Sequence, residues 1–388
     1  MNPILRLSLF SFLLVFAVAA PAALGAGKVT LMRTPNGGIQ PQVVADEKGA
    51  VHLIYLQGDP KACDVFYVRK EQGQDRGPLR VNSQPRAAVA MGTVRGAHLA
   101  LGKSGRVHVA WNGSYEGAPK GPEGRPLSAM NYARLNDAGT AFEPQQNLMK
   151  TTTGLDGGGS VAADGHGNVY VTWHAREPDA PPGEAGRAVY VAHSTDEGKT
   201  FAAEKRANVQ PTGACGCCGM KSLADAKGNF YALYRGAANG LNRDMMLLTS
   251  RNRGASFDTS PLHKWQIGRC PMSSESLIDA GSSVVAAWET ADQVYFASID
   301  SATGKASAPV APAGSAGRKH PVVVRNAKGE TLLAWTEGTG WQKGGSLAWQ
   351  LFDANGNPGS ELGRADGVPV WSLVAAYARP DGNFVILH

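Results

Sequence analysis

Residues 159–173 read Gly-Ser-Val-Ala-Ala-Asp-Gly-His-Gly-Asn-Val-Tyr-Val-Thr-Trp. A short apolar run gives way to Asp and Gly, which suit a turn with positive φ. An alternating apolar and polar run follows and ends on an aromatic. That pattern predicts a β-hairpin. The chain repeats the unit. A turn Gly with an aromatic six positions later recurs as Gly49/Tyr55, Gly105/Trp111, Gly167/Trp173, Gly228/Tyr234 and Gly329/Trp335. Ser282/Trp288 is the same unit with Ser at the turn, and Gly382/His388 is a seventh copy.

Turn positions lie 47 to 62 residues apart, the period of a propeller blade rather than of a helical solenoid. Each of the first six hairpins is followed by a weaker pair of strands. These are predicted at 64–70 and 79–82, 128–134 and 142–149, 188–193 and 201–206, 245–249 and 257–263, 294–299 and 306–311, and 346–352 and 358–363. Four strands per repeat, little helical periodicity and no long linker predict a single all-β domain over residues 27–388. The fold class is a β-propeller of four-stranded blades. Seven hairpins imply seven blades, with a strand around residues 28–33 completing the last one and removing an exposed sheet edge. A six-bladed ring with the final hairpin as an appendage is the alternative.

Composition sharpens this picture in two places. Residues 1–26 carry one Arg, an apolar run from Leu7 to about Ala20 and a small-residue exit, which is the pattern of a secretory signal peptide. The run is short for a bilayer span of about 20 residues. The remainder is expected to be secreted or periplasmic, with no membrane span after cleavage. The formal net charge is only +6 and no Lys/Arg block occurs, which argues against nucleic acid or a membrane surface as partner.

Between the outer strands of the third repeat stands Ser194-Thr195-Asp196-Glu197-Gly198-Lys199-Thr200-Phe201. The fourth repeat has Ser250-Arg251-Asn252-Arg253-Gly254-Ala255-Ser256-Phe257 at the matching place, and the second a degenerate Asn136-Asp137-Ala138-Gly139-Thr140-Ala141-Phe142. These resemble the Asp-box, or BNR repeat, of the sialidase superfamily, and the resemblance extends as architecture over the chain after residue 26. The box is a self-contained turn. Its Asp or Asn takes backbone amides, its Gly takes positive φ and its aromatic plugs between sheets.

In a propeller the residues just before each inner strand and just after the second strand share one axial face. Here the first group includes Arg95, Asp156, Cys215, Cys217, Cys218, Arg269, Cys270, Arg318, His320 and Trp371. The second includes Asn112, His174, Arg176, Arg235, Glu289 and Glu337. Scaffold positions stay monotonous while these diversify, so this face is the candidate site.

Three constellations stand out on it. Cys215-Gly216-Cys217-Cys218-Gly219-Met220 is matched one blade on by Cys270-Pro271-Met272. Thiolates and thioethers are soft ligands for Cu, and thiolates also suit Zn. In an exported protein the other reading is a disulfide from Cys270 to one of the three clustered cysteines, and redox chemistry is the third. Arg95, Arg269 and Arg318 precede inner strands in register. The family resemblance implies three arginines gripping a substrate carboxylate, for which guanidinium forks are suited. The family's Arg-Ile-Pro motif would fall at Ile39-Gln40-Pro41 and is not matched, and no Tyr nucleophile is recognisable. Asp59 or Asp64, after the first hairpin, is the stand-in for the acid. Glu289 and Glu337 end the second strands of adjacent repeats and form a candidate glycoside-cleaving pair if roughly 5–9 Å apart. His174 and Arg235 join the ligand-binding candidates. Trp111, Trp173, Trp288 and Trp335 recur at one position and are read as inter-blade packing, whereas Trp341 and Trp371 break register and are candidates for ligand contact.

Two functions remain open. One is a glycan-binding or glycoside-hydrolase-like propeller that takes a carbohydrate or other anionic small ligand. The other is a non-enzymatic propeller whose Cys/Met cluster binds Cu or Zn, or is stapled as a face for a protein partner.

Overall fold

The computed structural model describes residues 27–71, 74–114, 120, 124, 127–314 and 317–388. The expected signal peptide, residues 1–26, lies outside them. The described chain is almost entirely β, folded as a seven-bladed propeller. The first blade is Ile39–Ala45, Val51–Asp59, Ala62–Glu71 and Gln74–Arg80, paired in sequence order and antiparallel. The second, third, fourth and sixth blades repeat this order over 97–147, 160–206, 220–263 and 318–368. In the fifth blade Ser276–Asp279, Ser283–Thr290 and Gln293–Asp300 form a three-stranded sheet. The fourth strand expected at 306–311 is reduced to two bridges, Phe296 with Val310 and Ile299 with Ala306.

Ala375–Ala378 and Phe384–Leu387 form the hairpin of the seventh blade, and Val29–Met32 adds to it as a parallel strand. The expected closing strand is thus present, and the six-bladed alternative is set aside. Phe384 N donates to Lys28 O at 2.7 Å at one end of the pair, and His388 N to Met32 O at 3.0 Å and Thr34 N to His388 O at 2.9 Å at the other, so first and last strands are latched at both ends.

The reason for the repeated aromatic is visible at the seams. Each pair of neighbouring blades encloses its own apolar core. Trp111 fills the seam between the first and second blades, Trp173 the next, and Trp288 and Trp335 those before the fifth and sixth. Tyr234 and Tyr55 do the same before the fourth and first blades. Each of the four Trp side chains is at most 1% exposed, and each indole N–H finds an acceptor. Those acceptors are Ala87 O, Thr152 Oγ1, His263 Nδ1 and Glu337 Oε1 at 2.9–3.3 Å. Truncating such a side chain to Ala costs about 3–5 kcal/mol.

The turns behave as their sequences dictate. Asp164 Oδ1 accepts from His166 N at 2.8 Å and Asn168 N at 2.9 Å, while Gly167 sits at φ +95°. In the turn after Ala188–Ser194, Asp196 accepts from Thr200 N at 2.9 Å and Thr200 Oγ1 at 2.7 Å, and Gly198 takes φ +76°. Phe201 then packs edge-on against Tyr132 of the preceding blade, ring centres 4.8 Å apart. Because strands alternate direction, these turns lie on the face opposite the candidate site.

Removing residues 27–33 should leave Phe384–Leu387 as an open edge. The expected result is a lower thermal midpoint, by roughly 2–4 °C for each kcal/mol lost, and concentration-dependent association on size-exclusion chromatography. An unchanged midpoint in a monomeric truncated protein would show that the ring does not need its latch.

Candidate functional site

The segment 214–219 is the hub of the axial face. Its backbone is tied to neighbouring blades on several sides. Val94 N donates to Cys217 O at 3.0 Å, Gly157 N to Gly216 O at 2.6 Å, and Gly219 N to Ser273 O at 2.9 Å. Cys215 N donates to Arg235 O at 2.8 Å, and Gly216 N to Glu184 Oε1 at 3.0 Å. Strand starts of the second, third and fifth blades thus meet on one short loop of the fourth.

The cysteines divide. Cys217 and Cys270 form a disulfide across blades, with Cα atoms 6.6 Å apart, which is the Cys270-to-cluster bridge expected from the sequence. Cys215 and Cys218 are free and buried, as is Cys63 in the first blade. Cys215 Sγ lies 3.3 Å from Cys217 Sγ and 3.3 Å from Cys218 Sγ. Burial by itself would raise the Cys218 thiol. Its hydrogen bond with Cys215 and the field of Arg235 reverse that and bring it down to about 6. The shared hydrogen bond, together with burial, pushes Cys215 strongly upward. Met272 packs on the cysteines. Met220 does not; its strand position turns it into the apolar seam between the third and fourth blades, beside Phe230 and Tyr234.

The arginines are mostly spent on the scaffold. Arg95 donates to Asp156 O (2.8 Å), Met91 O (2.6 Å) and Asp156 Oδ1 (3.2 Å). Arg318 donates to Gln293 Oε1 and the carbonyls of Pro312, Ala313 and Gly314, and lies over Trp335 at 4.9 Å. Arg235 is buried and donates to Ser273 Oγ, Arg243 O and Glu289 O. Arg269 alone of the register triad is exposed. The three arginines are therefore not gathered as one open carboxylate clamp.

Nor do the carboxylates face a common substrate space. Glu289 is fully buried with neither oxygen hydrogen-bonded, its nearest cation being Lys319 Nζ at 3.7 Å. Burial raises its carboxyl to about 7, against the pull of Lys319 and Arg235. Glu337 points out along its own blade to Arg364 (3.3 Å) and Arg318 (3.8 Å). Asp64 accepts from Asn82 Nδ2 and Arg86 N, both at 2.6 Å, and so fixes a connection in the first blade. His174 is buried with neither ring nitrogen partnered, and burial brings it down to about 3.

What remains open to solvent is a cleft of about 470 Å³ beside the cysteine hub. Its walls include Arg269, Met272, Lys319, Lys343, Trp341 and Trp371. The two indoles meet edge to face, centres 5.3 Å apart, and Trp341 is 57% exposed. Trp371, Met272, His320 and Gln40 hold positive φ between 49° and 62°. The conformation is costly for non-glycine residues and is held here by neighbours. Gln40 shows how, donating to Ala90 O at 2.9 Å and Trp371 O at 2.7 Å. A bore of about 430 Å³ lined by the inner strands continues along the axis.

Gln40, Lys319, Lys343, Glu184 and Glu275 were not singled out by sequence. Gln40 occupies the Ile39-Gln40-Pro41 position and Lys319 adjoins His320, so their placement before inner strands was a usable signal. Lys343 and Glu184 sit in loops without one.

No known family profile and no curated protein matches this chain. Solved structures do match its fold. A protein of unknown function from Dyadobacter fermentans aligns over 85% of this chain and 94% of its own at 13% identity, TM-score 0.52. The Hadza microbial sialidase Hz136 aligns over 87% and 76% at 10% identity, TM-score 0.50. The NanB sialidase of Streptococcus pneumoniae aligns over 79% and 67% at 7% identity, TM-score 0.50. The class defined is a seven-bladed propeller similar in fold to sialidases.

Two measurements check the site. Denatured, unreduced protein should show three reactive thiols, Cys63, Cys215 and Cys218, that the native fold protects; a count of one would mean a second bridge. Glu289, facing Lys319, Arg235, Asp292 and Cys218, has a folded pKa above its ordinary 4.5. Its contribution to stability is therefore complete below that value and is lost as pH rises through about 7. Between those limits the cost is ~1.4 kcal/mol per pH unit. Glu289→Gln should remove this part of the slope in denaturant unfolding, and an identical slope in the variant would contradict the raised pKa.

Proposed function

We propose that this protein is an exported glycan-recognition propeller of the Asp-box type, taking an acidic carbohydrate in the cleft beside the hub. The observation that carries the reading is the Trp341–Trp371 pair set in a cleft that also holds Arg269, Lys319 and Lys343. Indole faces stack on the apolar faces of sugar rings, and a cationic wall favours a carboxylate or sulfate on the same ligand. The cleft has the size and mixed polarity of small-molecule sites. Two of the solved structures with this fold are sialidases by name, which supports a carbohydrate ligand. The Asp-box turns at Asp196 and Asn252 support the superfamily assignment. The apolar run before residue 27 supports export.

Recognition is favoured over hydrolysis because the candidate carboxylates are withdrawn. Glu289 is sealed beneath the face and Glu337 is held by Arg364 and Arg318. A general acid must reach the glycosidic oxygen within hydrogen-bond range.

Calorimetric titration with sialyllactose and with lactose tests the reading. Sialyllactose should bind more tightly, and its affinity should fall as salt is raised toward ~1 M. Trp341→Ala removes an exposed ring and should leave the fold intact while weakening binding by about tenfold, or 1.4 kcal/mol. Equal affinity for both sugars, or binding indifferent to Trp341→Ala, would overturn the assignment. Turnover of a fluorogenic sialoside would overturn its non-hydrolytic part.

A further inference from the structure

The sulfur cluster is not explained by the cleft. A structural staple needs two cysteines, yet here two further thiols touch it. The sulfurs of Cys215, Cys217 and Cys218 all lie within 4.8 Å of one another, and all three residues are buried. Cys270, bonded to Cys217, is exposed. Met272 brings a thioether against the same cluster.

We propose that Cys215, Cys217, Cys218 and Cys270 form a redox-gated soft-cation site that takes one Cu(I) ion once a dithiol has reduced the Cys217–Cys270 bridge. Among the described residues the gathered donor set is all sulfur, with no carboxylate or imidazole atom in the same group. Such a set selects a soft cation. The Cys-x-Cys-Cys spacing crowds three donors on one turn, unlike the paired Cys-x-x-Cys knuckles of structural zinc. Burial excludes the water that a harder ion would keep in its shell.

A second observation points to an unfilled ligand position beside the hub. His174 is 1% exposed and neither ring nitrogen has a partner. A Cβ placed on Gly157 would lie 3.1 Å from His174 Nε2 and within 2.7 Å of the carbonyl oxygens of Cys218 and Gly216. The unpartnered imidazole therefore abuts the hub loop itself.

The gating step balances as follows. A thiolate of the dithiol attacks the exposed Cys270 sulfur, the Cys217–Cys270 bond breaks, and Cys217 leaves as a thiolate that takes a proton. The second thiol of the reductant then attacks its own sulfur in the mixed disulfide and releases Cys270. The reductant ends as its disulfide, and two electrons have passed to the cysteines. Cu(I) then displaces thiol protons.

The test is anaerobic titration of the full chain with Cu(I) against a chromophoric Cu(I) chelator, before and after treatment with dithiothreitol and its removal. Reduced protein should hold one Cu(I) per chain at least a hundredfold more tightly than oxidised protein, with an ultraviolet thiolate-to-copper band. Cys270→Ser should bind without prior reduction, through the three hub sulfurs. Cys215→Ser and Cys218→Ser should weaken binding at least a hundredfold, with circular dichroism confirming that they fold. Cys63→Ser, in the first blade, should bind as wild type. Failure of reduced protein to compete with the chelator, equal affinity in both redox states, or retention of Zn(II) in place of Cu(I) would each overturn the proposal. None of these outcomes depends on sugar binding.

Discussion

Closing the ring is the constraint from which the rest follows. A sheet of wedges must return to its starting point, and here the return is made by Val29–Met32 lying parallel to Phe384–Leu387. Seven seams must then be filled to nearly the same thickness, because a misfit at any one would open the latch. That is why a large aromatic recurs at one position in blade after blade and why its indole N–H is always paired. The hydrophobic contribution is thus spread over seven small cores rather than held in one. Variation is tolerated where seams do not meet, on the rim of the axis.

The rim is not free of structural duty, however. Loops converging on an axis carry many carbonyls that no strand pairs, and buried carbonyls need donors. Guanidinium groups supply several donors in a fixed fork. Arg95, Arg235 and Arg318 are used in this way, each bonding to backbone oxygens of neighbouring segments. A position can therefore look like a ligand contact in the sequence, being charged, in register and on the right face, and still be mortar. Arg269 escapes because its loop runs outward into the cleft wall.

This sorts what was legible from what was not. Hairpins, blade count, the latch and the turns were written in period and turn chemistry, which are local. The pairing of Cys270 with the cluster was one of three readings left open by the sequence, and the fold selects it. The destination of individual side chains was not local. Met220 stands eight residues before its turn Gly228 and Met272 ten before Ser282, so Met272, at φ +49° before the strand begins, meets the cysteines, whereas Met220 is already in the strand and faces a seam. The first and sixth inner strands start with register shifts, between Ile39 and Gln42 and between Lys319 and Val322. A two-residue alternation read through such a bulge assigns the wrong face, which is how Gln40 and Lys319 passed unnoticed. Glu289 follows Trp288 by one residue and Glu337 follows Trp335 by two, so strand alternation seals the first and turns the second outward.

Several buried groups without hydrogen bonds gather at one sector of the ring. Around the hub loop, Glu275 and Glu289 have carboxyl oxygens without hydrogen bonds, His174 an imidazole without them, and Arg187 and Arg243 guanidinium nitrogens without them. Each buried polar atom left unpaired costs about 1–3 kcal/mol. A ring whose seven seams share the load can carry a costly patch at one sector, since no single seam must compensate for it alone. The disulfide spans that same sector, joining the fourth blade to the segment that begins the fifth. That segment, 269–272, also walls the cleft. The covalent bond, the strained backbone at Met272 and the buried groups without hydrogen bonds thus fall within one stretch of rim, and this concentration distinguishes a built site from ordinary surface.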